Sequence, residues 1–119
     1  MSTSSKQKRK AARERAAQKR KAARDANRAA LLERARRTAE RVGLYTMSRA
    51  DVAKAAGVSD ALVSHHFGTM NDLRGALIQA AIGGQPSYLG VLAQALTMRD
   101  RRAAVAPAEV KRAALNTAA

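Results

Sequence analysis

The stretch from Ser48 to Phe67 allows few folds. Its first half reads Val52-Ala53-Lys54-Ala55-Ala56-Gly57-Val58-Ser59, and its second Asp60-Ala61-Leu62-Val63-Ser64-His65-His66-Phe67. Ala53 and Gly57 stand four apart. An alanine lets two short helices approach closely, and a glycine enters the left-handed conformation that a sharp turn needs. The spacing predicts a helix-turn-helix, with one helix from Arg49 to Ala56 and the next from Asp60 to Phe67.

The flanking residues mark where these helices start and stop. Ser48-Arg49-Ala50-Asp51 and Thr69-Met70-Asn71-Asp72 are capping boxes, in which the hydroxyl bonds the amide three residues on and the carboxylate reaches back. Ser59 caps the second helix and Gly68 ends it. After Thr69 a further helix carries Leu73, Ala76, Leu77, Ala80 and Ala81 on one face, and Gly83-Gly84 breaks it. Upstream, Leu32, Ala35, Ala39 and Val42 recur at helical spacing. Arg34, Arg37 and Arg41 fall on other faces, and Gly43 stops that helix as a left-handed cap with Leu44 folding back. Tyr88 to Val105 reads as one helix with a stripe of Leu89, Leu92, Ala93 and Leu96. Pro107 opens a last short helix that is expected to fray. No strand pattern and no internal repeat is present, so the fold class is all-α, a small helical domain.

Charge points to the partner. The 119 residues hold 23 basic and 9 acidic side chains, a net charge of +14. Such an excess favours a polyanion, nucleic acid before an anionic membrane. Residues 1–28 hold eleven basic and two acidic residues, whereas residues 44–83 hold three of each. The chain therefore divides into a basic arm (1–28), a nearly neutral reading head (29–83) and a C-terminal helical extension (84–119). Met1 to Ser5 is expected to be unstructured. The rest of the arm is rich in helix formers without Gly or Pro, but alanine is its only apolar side chain. On its own it is expected to fluctuate and to gain helix when phosphates neutralise it. Leucine heptads are missing behind it, so it is not a zipper's basic region.

Composition removes other functions. Cysteine is absent, which excludes disulfides, thiolate zinc sites and thiol catalysis. Three aromatics are too few for a base-stacking platform. No apolar run suits a membrane span or a secretory leader, so the chain is expected in the cytoplasm with the nucleoid. His65 and His66 diverge by about 100° on a helix, a poor arrangement for one metal ion. Asp51 and Asp72 are explained by capping. No phosphate-binding glycine loop or nucleophile motif occurs, so neither an enzyme nor a cofactor is expected.

The run from Leu31 to Leu77 resembles the N-terminal DNA-binding domain of the tetracycline-repressor (TetR) family. The matching residues are Val52-Ala53, Ala56-Gly57-Val58-Ser59, Val63, His66-Phe67 and Leu73, with Gly43 where such proteins end their first helix. The resemblance implies a sequence-specific regulator of transcription that binds double-stranded DNA, normally as a homodimer. Two family phosphate contacts are missing, a Tyr where Ser64 stands and a Lys where Met70 stands. Beyond the helix that ends near Gly83, the residues are expected to be too few to enclose a drug-sized pocket, so no small-molecule ligand is expected.

The reading face expected on the second helix of the motif is Asp60, Ala61, Leu62, Ser64 and His65, docked in the major groove. Helix starts at Ser48-Arg49, Ser59 and Thr69 are expected to offer amides to phosphates. Lys19, Arg20, Lys21, Arg24 and Arg28 of the arm are expected on the backbone or in the minor groove. The arm could equally recruit a second protein such as RNA polymerase. Val52, Ala56, Val58, Val63 and Phe67 are the expected core of the motif, with His66 packed at its edge. Leu89, Leu92 and Leu96 form either core or a dimer seam. A repressor of phage, plasmid or bacterial origin is the leading reading. A non-specific architectural protein, a phage DNA-packaging component and an RNA-binding protein are the alternatives.

Overall fold

The computed structural model describes residues 4–118, and Met1–Thr3 of the expected unstructured start lie outside them. Among the described residues there are seven α-helices and no strand. These are α1 (Ser5–Val42), α2 (Arg49–Ala56), α3 (Asp60–Phe67), α4 (Met70–Ile82), α5 (Leu89–Thr97), α6 (Arg101–Ala104) and α7 (Ala108–Ala118), with a 3-10 turn at Pro86–Tyr88 before α5. The chain forms two compact units, one ending at Ala30 and one beginning at Leu31.

The first unit is the early part of α1. Ser4 caps it reciprocally: the Gln7 amide donates to Ser4 Oγ at 3.2 Å, and the Ser4 amide donates to Gln7 Oε1 at 3.1 Å. Ser5 is therefore the first helical residue, not part of an unstructured start. From Ser5 on, the arm is helical because nothing there breaks a helix and its residues rank high in propensity. Apart from the half-buried Ala11, every described side chain up to Ala30 is exposed. Lys21 Nζ pairs with Asp25 Oδ2 at 3.1 Å, one turn on.

The second unit holds the core. The later part of α1 buries Leu31, Ala35, Thr38 and Ala39. The expected stripe is turned slightly, since Leu31 is inside while Leu32 and Val42 are half-buried at its edge. Buried Thr38 donates its hydroxyl to the Arg34 carbonyl at 2.8 Å, so its polar group is satisfied within the helix. Gly43 ends α1 at φ +103°. Gln94 of α5 then seals that end. Its Nε2 donates to the Ala39 carbonyl at 3.1 Å and its Oε1 accepts from the Leu44 amide at 2.7 Å. Leu44 itself is fully buried.

Arg36 ties α1 to the 3-10 turn. It forms ion pairs with Glu33 and Glu40, donates to the Ser87 carbonyl at 3.1 Å, and lies 5.8 Å above the Tyr88 ring. These carboxylates hold the guanidinium charged, far above any accessible pH.

The helix expected from Tyr88 to Val105 is broken in two. α5 ends at Thr97, and Arg99 takes φ +55° in the left-handed region. Asp100 then caps α6, its carboxylate accepting from the Arg102 amide at 3.0 Å. Leu92, with Val91, Ala93 and Ala95, is buried in the chain's own core, and Leu89 and Leu96 pack against that core half-buried. α7 packs on α5 and buries Ala114, which anchors the helix expected to fray.

Candidate nucleic-acid interface

The local chemistry of the motif is satisfied as its sequence spacing requires. The Asp51 amide donates to Ser48 Oγ at 3.1 Å and the Ser48 amide donates to Asp51 Oδ2 at 2.8 Å. At α4 the matching bonds join Thr69 and Asp72 at 3.1 and 3.0 Å. These bonds hold both carboxyls below the usual carboxylate range. Ser59 accepts from the Leu62 amide at 3.1 Å. Gly57 sits at φ +68°, and the Val58 amide returns to the Ala53 carbonyl at 3.0 Å, closing the turn. A Cβ at Gly57 would meet nothing within 4 Å, so conformation alone, not space, calls for glycine there. Gly68 differs. Its φ is +78°, and a Cβ would stand 2.7 Å from Asp72 Oδ2, inside the α4 cap.

Val63 and Phe67, four apart, turn one side of α3 into the core. The opposite side carries Ala61, Leu62 and His65, all exposed. Leu62 is 38 % exposed, a large apolar side chain held in water. Ser64 is half-buried on the flank, and Asp60 is exposed in the first turn, on the side of Val63. Among the five residues expected to read bases, the outward ridge thus groups Ala61, Leu62 and His65. His66 is half-buried, its ring 5.5 Å from that of His65 and 6.3 Å from Phe67, which is a packing role. In the expected motif core, Val52, Val63 and Phe67 are buried, while Ala56 and Val58 are half-buried against them.

At the helix starts, the Ser48, Ser59 and Thr69 oxygens accept as caps, which leaves their O–H donors, the free amides and Arg49 to meet an anion there. Arg49 Nη2 reaches the Gly68 carbonyl at 3.4 Å, and its buried Nε has no partner. It spans from the start of α2 to the turn before α4. In the arm, Arg20 and Arg24 share one side of the helix with Lys6, Arg9, Lys10 and Arg13, whereas Lys19 falls on another with Lys8 and Arg15. Lys21 is engaged by Asp25. Arg28 is exposed one turn beyond Arg24.

A polar cluster behind the motif has no local sequence signal. Tyr45, in the turn after α1, donates its hydroxyl to Asp100 Oδ2 at 2.8 Å. Arg102 grips the same carboxylate with Nε at 3.0 Å and Nη2 at 2.8 Å, and its Nη1 donates to the Asn71 carbonyl of α4 at 2.9 Å. Arg74 of α4 lies 5.9 Å over the Tyr45 ring. Burial, then the Asp100 contact, pushes the Tyr45 phenol up to about 12. Bonds from Arg102, with help from Tyr45, hold Asp100 far below the usual carboxylate range.

An open groove of about 580 Å³ lies between the end of α1, the turn that follows it and α5, with Leu44, Tyr45, Ala93 and Met98 in its wall. Among the described residues, no helix is long and apolar enough to cross a membrane.

Residues 31–77 match the sequence model of the family described as bacterial regulatory proteins, tetR family. No curated protein and no solved structure matches the chain. The matched segment runs from the first buried leucine of α1 through the motif to Leu77 in the core of α4. With its caps, its glycine turn and its outward α3 ridge in place, residues 31–77 are a TetR-family N-terminal helix-turn-helix domain, of a family of DNA-binding regulators of transcription.

Proposed function

We propose that this chain is a sequence-specific repressor that occupies an operator in double-stranded DNA. The observation that carries this reading is the α3 ridge: Ala61, Leu62 and His65 face solvent directly opposite the buried Val63 and Phe67. A helix presenting such a ridge fits the major groove, about 12 Å wide. Leu62 offers an apolar contact for a thymine methyl, and His65 a donor for a guanine edge or a phosphate. Asp60 and Ser64 flank them, where Asp60 can accept from a cytosine amine. Arg49 and the amides at the starts of α2, α3 and α4, beside Ser48, Ser59 and Thr69, take phosphates and set the register.

The arm of residues 1–28 supplies the long-range attraction that the nearly neutral head of residues 29–83 lacks. As a helix about 10–12 Å across, it is too wide for a minor groove of about 6 Å. Its cations, Arg20, Arg24 and Arg28 among them, therefore lie along the backbone. Residues 84–119 complete the core and, in a homodimer, bring two reading heads to half-sites one helical turn apart.

Selection of the full chain against random duplexes, followed by sequencing, tests this. A symmetric consensus is the expected result, and no enrichment would refute it. A second reading, a non-specific architectural protein, is favoured by the concentration of charge in the arm rather than the head. It requires scrambled DNA to compete as well as any chosen site.

A further inference from the structure

The Asp100–Arg102 pair lies outside the matched segment, yet it is built onto the reading head. Asp100 receives four bonds: two from the Arg102 side chain, one of which is also the ion pair, one from the Arg102 amide and one from the Tyr45 hydroxyl. The remaining nitrogen of the fork, Nη1, is also engaged. It crosses α4 at Gly75, where a Cβ would stand 3.3 Å from it, and ends on the Asn71 carbonyl. Asn71 lies in the first turn of α4, two residues after the Thr69 cap. A second hold on α4, just past its first turn, comes through Tyr45, whose ring lies under Arg74. Three separate parts of the chain thus meet on one carboxylate–guanidinium pair: the turn after α1 on the Asp100 carboxylate, the start of α4 on the Arg102 guanidinium, and the α5–α6 junction that carries both.

We propose that Asp100 and Arg102, joined by Tyr45, are positioning residues for DNA binding, fixing the first turn of α4 and the α3 helix packed against it at the orientation in which the ridge meets bases. This rests on the operator-binding reading. Arg102 acts here through α4, not by touching DNA. The physical basis is geometric. A fork bound to a carboxylate resists rotation as a single ammonium contact does not. α3 and α4 are joined by the two-residue turn Gly68-Thr69, so a displacement of the α4 start is passed to the end of α3. Base readout depends on bidentate geometry and is sensitive to such a shift, whereas backbone attraction through the arm is not.

The test is Asp100→Asn in the full chain, with Tyr45→Phe as a milder second variant. Asparagine keeps the shape and the cap of α6 but weakens the fork, and it raises the net positive charge by one. Simple electrostatics, or a direct phosphate contact by Arg102, therefore predicts equal or tighter DNA binding. Positioning predicts weaker binding to the selected operator, by roughly tenfold, with scrambled-duplex affinity unchanged within roughly twofold. Tyr45→Phe moves the ratio of operator to scrambled affinity in the same direction by less. Operator binding by Asp100→Asn as tight as the parent's would overturn the proposal, and so would an equal loss on both duplexes. If the parent itself prefers no sequence, it is the operator reading that fails.

Discussion

Between Lys6 and Arg24, six cations of the arm, Lys6, Arg9, Lys10, Arg13, Arg20 and Arg24, fall within about 100° of the α1 circumference and are exposed. From Lys6 to Arg24 they span about 27 Å at 1.5 Å per residue. A straight helix can lay such a row along one phosphate track. Each phosphate neutralised contributes about 0.9 to the slope of log affinity against log salt. Six contacts give a slope near −5, so affinity falls about a thousandfold between about 50 and 200 mM salt. Replacing all six with Gln keeps helix propensity and removes the row. Fluorescence anisotropy on a labelled duplex across a salt series measures the effect. The expected slope is shallower than the parent's by about 5, with the preferred sequence unchanged. Replacing Lys8, Arg15 and Lys19 with Gln, on the other side, should change the slope by less than about one. A six-fold variant with the parent's slope, or equal effects per charge from both sides, would refute the one-sided arm.

Other outcomes follow from the same geometry. Leu62→Ala with His65→Ala should relax base preference at two or three operator positions, each worth about 1–3 kcal/mol, as read by repeating the selection. An unchanged consensus would place readout elsewhere. Gly68→Ala should lower stability by about 2 kcal/mol, combining left-handed strain with a lost Asp72 cap, whereas Gly57→Ala should cost about 1 kcal/mol. Urea unfolding of the two variants checks the order. Asp100 is held below its ordinary range, so its stabilisation is complete above about pH 4 and fades as pH falls further. Tyr45 is shifted up to about 12, so its part is complete below about pH 10 and fades as pH rises through about 12. Burial raises Tyr88 as well. Tyrosinate absorbance should therefore show neither phenol titrating at the free value, and a normal titration of both would contradict the packing.

What could be read in the chain was local. Ser48, Ser59 and Thr69 act on amides three residues away, so their caps are visible in four-residue windows, and the glycines after α2 and α3 mark their own turns. The outward ridge of α3 follows from the spacing of Val63 and Phe67. Choices decided by distant partners were not legible. Leu31 and Leu32 are equally apolar neighbours, and only the packing of the second unit decides which turns inward. The break after α5 falls at Arg99, a left-handed residue that is not a glycine, so no breaker announces it. The cluster of Tyr45, Asn71, Asp100 and Arg102 joins residues up to 55 positions apart, and its parts look like ordinary surface residues in sequence.

Gln94 carries a consequence for anyone trimming this chain. Its side-chain amide adds a second bond to the Ala39 carbonyl and closes the first free amide after α1, Leu44, so part of the DNA-binding domain is finished by a residue well past Leu77, where the family likeness stops. A fragment cut at that boundary would expose Leu44 and leave the α1 terminus unsealed. The smallest piece worth expressing alone is the whole second unit, because here the border drawn by kinship is not the border drawn by folding.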